Sequence, residues 1–192
     1  GNTVLNTERR FDTVHGTDRA VRLLVSNIAG TEFFSWAEGE TRIRRWSRTL
    51  NASLGDLDLP EGATPTALAL HATESYLLVS LSDGRLLLWT LLGDDPPETI
   101  PSVVPSRNLA FFPGVRDASD LRYVSVDQDD VLRVWRAPGE LLASGYEVSI
   151  PGGTTTGLSM SNDRSLVAVG TRSGTVRIYN IRTPPNAAEE IL

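Results

Sequence analysis

His15 and His71 are the only imidazoles among the chain's 192 residues, and there is no cysteine. Thiol nucleophiles, disulfides and thiolate-bound zinc or iron–sulfur centres are therefore excluded. The two histidines lie far apart in the sequence, where a lone imidazole is more often structural or solvated than catalytic. There is no P-loop, G-x-S-x-G elbow or H-E-x-x-H pair. Asp127-Gln-Asp-Asp130 gathers three carboxylates in four residues. Hard cations favour such oxygen sets, but Asp is also favoured in tight turns, where it hydrogen-bonds the local backbone. The segment lacks the remainder of a calcium loop. A turn is therefore expected, with no metal and no cofactor.

All 18 basic residues are arginine. An arginine-biased genome, selection against lysine modification, or engineering would each give that composition. Thr41-Arg-Ile-Arg-Arg-Trp-Ser-Arg48 holds four arginines in eight residues. Such a stretch can contact phosphate, yet the net charge is −6 and one basic strand makes no stripe. A nucleic-acid partner is not expected. Arginine also recurs two residues before an aromatic, at Arg44, Arg133 and Arg177, with Leu87 as the exception. On a strand, i and i+2 share a face. Each arginine is thus expected to stack on Trp46, Trp135 or Tyr179. The opposite face carries Ile43, Leu86, Leu88, Leu132, Val134, Val176 and Ile178, interrupted by Arg45. Arg45 marks a terminal unit or an acidic contact, or its head reaches water.

These residues sit in a repeat. The aromatics Trp46, Trp89, Trp135 and Tyr179 end similar runs at intervals of 43, 46 and 44 residues. Each run follows a second β-rich run and a polar turn, as in Tyr76-Leu-Leu-Val-Ser-Leu-Ser-Asp-Gly84. Such pairs read as hairpins. Gly39, Gly84 and Gly174 supply the positive φ the turn needs, and Asp130 stands at that place in the third unit. Strand-like runs also precede each hairpin (Ala20–Val25, Ala67–Leu70, Asn108–Phe112, Gly157–Met160). Weaker runs follow the first three, as in Tyr146–Ile150. Four short strands per unit at this period predict an all-β propeller.

The segment Ser165-Leu-Val-Ala-Val-Gly-Thr-Arg-Ser-Gly-Thr-Val-Arg-Ile-Tyr-Asn180 resembles the second and third strands of a WD40 repeat. The resemblance runs from about residue 8 to the end. It implies a divergent WD40-like β-propeller. The aromatics are followed by Ser47, Thr90, Arg136 and Asn180 rather than Asp, and the Gly-His pair survives only as a reversed His15-Gly16. The family's Asp–His–Ser–Trp network is therefore expected to be incomplete in every blade. The expected units are residues 20–63, 64–106, 107–152 and 153–192, four four-stranded blades behind an N-terminal segment 1–19. Residues 8–15 and 187–192 are placed to serve as outer strands. The resemblance implies seven or eight blades in a ring, so four are expected to be half of one. Another segment of a longer protein or a second copy would complete it, because an open arc leaves apolar faces in water.

The function expected from this reading is a non-catalytic protein-interaction scaffold. The turns around Glu38, Asp83, Asp129 and Arg172 are expected on one rim, as a partner-binding surface. Tyr179-Asn180-Ile181-Arg182 is similar to the box by which some WD40 proteins dock onto cullin ubiquitin ligases, with Arg182 as the docking residue. An enzyme site at the ring centre, completed by another segment, is the remaining alternative. No apolar run is long enough to span a bilayer, so no membrane is expected. Cytoplasm or nucleus is favoured. The start, Gly1-Asn2-Thr3-Val4, lacks Met and a signal peptide, as in a processed chain or a piece of a longer one.

Overall fold

Tyr76–Leu81 and Leu86–Thr90 show how the strands arise. They pair across the Asp83-Gly84 turn with Leu77 opposite Trp89 and Val79 opposite Leu87 on one face. Leu78 opposite Leu88 and Ser80 opposite Leu86 fall on the other. Gly84 takes φ +91°, in the left-handed region that a residue with Cβ resists. Both faces of this hairpin are apolar, so both must be covered.

The computed structural model describes residues 15, 18–73, 75–100, 104–113, 121–136, 140–141, 146–182 and 190–191. They form four antiparallel sheets, each laid out in chain order. The first contains β1 (Val21–Ser26), β2 (Glu32–Ala37), β3 (Arg42–Ser47) and β4 (Ala52–Asp58). The second contains β5 (Pro65–Leu70), β6 (Tyr76–Leu81), β7 (Leu86–Thr90) and β8 (Glu98–Ile100). The third contains β9 (Ser106–Phe111), β10 (Arg122–Asp127), β11 (Val131–Arg136), β12 (Glu140–Leu141) and β13 (Glu147–Ser149). The fourth contains β14 (Thr155–Met160), β15 (Leu166–Thr171), β16 (Val176–Asn180) and β17 (Glu190–Ile191). The outer position of the third blade is split, contrary to the single run expected there. β12 pairs with Trp135 and Arg136, and β13 with Val131 to Arg133. Of the expected outer strand over residues 8–15, only His15 lies within the described residues.

The inner strands stand side by side in the order β1, β5, β9, β14. Thr66, near the start of β5, donates through Oγ1 to the carbonyl of Ser106, the first residue of β9, at 2.7 Å. At the other end, His71 meets Phe111 edge-on, with ring centroids 5.2 Å apart. Starts therefore lie by starts and ends by ends. The hairpins between second and third strands accordingly emerge at one rim of the arc.

Three apolar seams hold the four blades together. Phe34, Trp36 and Ile43 of blade one meet Leu77, Val79, Leu87 and Trp89 of blade two. Leu78, Leu86 and Leu88 on the far face of blade two meet Phe111 and Tyr123 of blade three. Val124, Leu132 and Val134 meet Val167, Val169 and Tyr179 of blade four. Each fully buried Leu or Val in these seams contributes roughly 1.5–3 kcal/mol. The aromatic that ends each third strand faces the preceding blade, and the residues between face the next. Among the described residues no comparable contact joins β14 to β1. The two end faces are correspondingly open: Leu24 is 66% exposed at one and Val176 is 65% exposed at the other. The all-β propeller architecture is thus present as an open arc.

Candidate functional site

On the outward face of blade one, four side chains form a relay, three of them buried and Trp46 half-buried. Trp46, from β3, donates through Nε1 to Ser35 Oγ on β2 at 3.2 Å. Ser35 Oγ lies 2.7 Å from His15 Nε2. His15 Nδ1 lies 2.7 Å from Glu40 Oε2, in the β2–β3 turn. A carboxylate only accepts, so Nδ1 carries a proton. In a neutral ring, Nε2 then accepts from the Ser35 hydroxyl. The network expected to be incomplete in every blade is therefore complete in blade one. Glu40 supplies the carboxylate from the turn between β2 and β3, in place of an Asp after the Trp. Glu40 also takes Arg44 NH2 at 3.2 Å, and its backbone carbonyl takes the indole N–H of Trp36 at 2.9 Å. Burial alone would raise the Glu40 pKa, but the hydrogen bonds from Arg44 and His15 outweigh it and hold the carboxyl below its ordinary value.

The order Ser35, His15, Glu40 is that of a nucleophile, a base and an orienting acid. Its surroundings do not suit that chemistry. Ser35 is 5% exposed and His15 8%, and the serine oxygen is already committed to an indole N–H. The relay ties residue 15 to both middle strands, which is a structural task. Blade three keeps only part of it, with Trp135 Nε1 donating to Ser125 Oγ at 2.7 Å. Val79 and Val169 occupy the serine position in blades two and four.

Two of the three arginines expected to stack on a strand-end aromatic, Arg44 and Arg133, form ion pairs. Arg44 reaches Asp56 and Glu40, and Arg133 reaches Asp127 and Glu147. Arg177 donates to the carbonyl of Pro151. Outer-strand and turn carboxylates lie within reach of these side chains, and a full charge pair outcompetes a ring quadrupole at such exposure. Arg45 sits 5.6 Å over the Phe34 ring and pairs with Glu32 at 2.9 Å, which matches the acidic-contact alternative.

Asp127 to Asp130 form the turn. Asp127 Oδ1 accepts from the backbone N–H of Asp129 and Val131. Asp130 has φ +58°, and its Oδ1 accepts the Thr155 N–H of the next blade at 2.7 Å. No group of three metal-ligating side chains occurs among the described residues.

Glu38, Asp83, Asp129 and Arg172 all lie exposed in second-to-third-strand hairpins, at one rim of the arc. Two of them are neutralised in place, Glu38 by Arg22 at 2.7 Å and Asp83 by Arg85 at 2.6 Å. Tyr179 is 3% exposed inside the seam between blades three and four. Arg182 is exposed and donates to the Asp163 carbonyl at 2.8 Å. A partner reaching this segment would meet Arg182 and not the tyrosine ring. His71 is 2% exposed between Tyr76 and Phe111. Its Nδ1 bonds Thr73 at 2.7 Å, and Nε2 has no partner among the described residues.

A groove opens between β4 and the acidic, proline-containing segment after β7. Its volume is about 480 Å³, and Asp56, Asp58, Asp94 and Asp95 stand along it with Leu54, Leu57, Trp89 and Pro97.

No family model matches the chain, and no curated protein matches it in sequence. Solved structures do match. The structure of U3-55K, a WD40 β-propeller protein, superposes with a TM-score of 0.69 at 18% identity. The match covers 88% of this chain and 51% of that one, so the chain spans about half the length of this structural neighbour. The likeness shows a WD40-like propeller fold.

Proposed function

We propose that this chain is a non-catalytic protein-interaction scaffold, a four-blade arc that further blades complete into a ring. The blades come from the same protein or from a second copy. The observation that carries this reading is the count of three seams for four blades, with Leu24 and Val176 open at the two ends. A propeller blade has two faces to cover, and apolar faces left in water drive association. The match to half of a WD40 propeller supports the same reading. Fold alone leaves function open. The scaffold role rests on rims of paired charges, and on a relay in which the buried Ser35 lacks the access a nucleophile needs.

Carboxylate-directed cross-linking mass spectrometry on the protein purified from its native source tests this, since the chain offers no lysine. The expected result is a stoichiometric protein partner whose cross-links fall on the rims or in the groove. A protein that purifies without any stoichiometric partner and turns over a small-molecule substrate overturns it.

A further inference from the structure

We propose that the groove between β4 and the Leu91–Pro97 segment holds a basic, partly apolar segment of a partner protein. The proposal rests on the scaffold reading and names its surface and ligand class. The groove lies where blades one and two meet at their outer edges. Its apolar wall is Leu54, Leu57, Trp89 and Leu91, stiffened by Pro96 and Pro97. A cavity of about 480 Å³ has the size of one or two large side chains with adjoining backbone.

The charges at the groove choose the occupant. Asp56 is already compensated by Arg42 and Arg44, each at 3.0 Å. Asp58 is 82% exposed on its side chain and stands 3.8 Å from Arg42. Asp94 and Asp95 are exposed, and no cation pairs with either among the described residues. Arg45, the cation in the lining, is held by Glu32. The groove therefore presents uncompensated negative charge beside apolar surface, unlike the hairpin rim, where Glu38 and Asp83 carry their own arginines. Arginine or lysine next to a leucine-like side chain complements both features. β4 is the last strand of its sheet, so an extended segment can lie along its outer edge.

The test uses a short fluorescent peptide alternating arginine and leucine, with its glutamate counterpart, read by anisotropy against the whole chain. Asp94→Asn/Asp95→Asn removes the free charges. Asp18→Asn/Glu147→Gln removes the same charge away from the groove. The expected result is saturable binding of the basic peptide that weakens about tenfold in the groove variant, from two lost charge pairs, and is unchanged in the control variant. Equal weakening in both variants, or equal binding of the glutamate peptide, overturns the groove. If the native partner is still captured by Asp94→Asn/Asp95→Asn at full strength, the groove fails and the scaffold reading stands. If no partner exists to capture, the scaffold reading itself fails.

Discussion

His15 Nδ1 and Glu40 Oε2, 25 residues apart in the chain, meet at 2.7 Å, with 6% and 5% of their side chains exposed. This contact fastens the residue furthest towards the N-terminus in the described structure onto the outward face of blade one. It ends a relay that begins at the Trp46 indole.

Breaking that contact should cost more than losing one hydrogen bond. His15→Ala leaves a buried carboxylate facing a cavity, and Glu40→Ala leaves the imidazole without its acceptor and Arg44 with Asp56 alone. Each is expected to destabilise by about 3 kcal/mol or more. Ser35→Ala, which severs the relay at its centre, should cost more than Ser125→Ala, which loses only the Trp135 bond. Denaturant midpoints of the four variants check the order.

Glu40 also sets an acid limit. Its folded pKa lies below the ordinary value of 4.5. A depressed carboxylate pKa contributes stability above the unfolded value, and that stability is lost as pH falls through the folded value. Glu40→Gln should therefore flatten the decline of the unfolding midpoint below about pH 4.5. An equally steep decline in the variant would assign the effect to other carboxylates.

His71 works over a milder range. Burial lowers its pKa from 6.5, so the folded state holds the neutral ring while the unfolded chain takes up a proton. Stability is full above about pH 6.5 and falls as pH drops towards the folded value. His71→Phe keeps the aromatic packing against Tyr76 and Phe111 and removes an orphaned nitrogen. It should change stability at pH 7.5 by less than about 1 kcal/mol and weaken the loss as pH falls below about 6.5. Chemical denaturation across that range measures both.

Asp130 combines a backbone and a side-chain role. Asp130→Asn keeps an oxygen for the Thr155 N–H and tolerates φ +58°, so it should be nearly neutral. Asp130→Gly relieves the backbone but orphans the Thr155 N–H, and Asp130→Ala suffers both penalties. The expected order of stability is Asn, then Gly, then Ala, with Ala lower by about 2 kcal/mol or more.

Much of the fold was legible because strand and hairpin chemistry is local. The alternation around Leu77 and Leu87, the glycines at 39, 84 and 174, and the recurring aromatics each report on their neighbours in sequence. The relay was not legible, because its acid is a glutamate in a turn and its histidine comes from far upstream. The available signal was the order His15, Ser35, Glu40 and Trp46, hidden because the carboxylate is a glutamate that stands in the turn before the Trp. The arginine pairings were missed because their carboxylates, such as Asp56 and Glu147, lie on outer strands whose register the sequence does not set. The groove depends on β4 and the Gly93–Pro97 turn coming together across two blades. Neither segment alone reports it.

Four blades make an arc whose two end faces need covering. Light scattering after size exclusion on the isolated chain tests this most directly. The expected result is a molar mass at or above twice 20.9 kDa, or a chain that melts cooperatively only when further blades are supplied. A monodisperse monomer of 20.9 kDa with a single cooperative melt would contradict it.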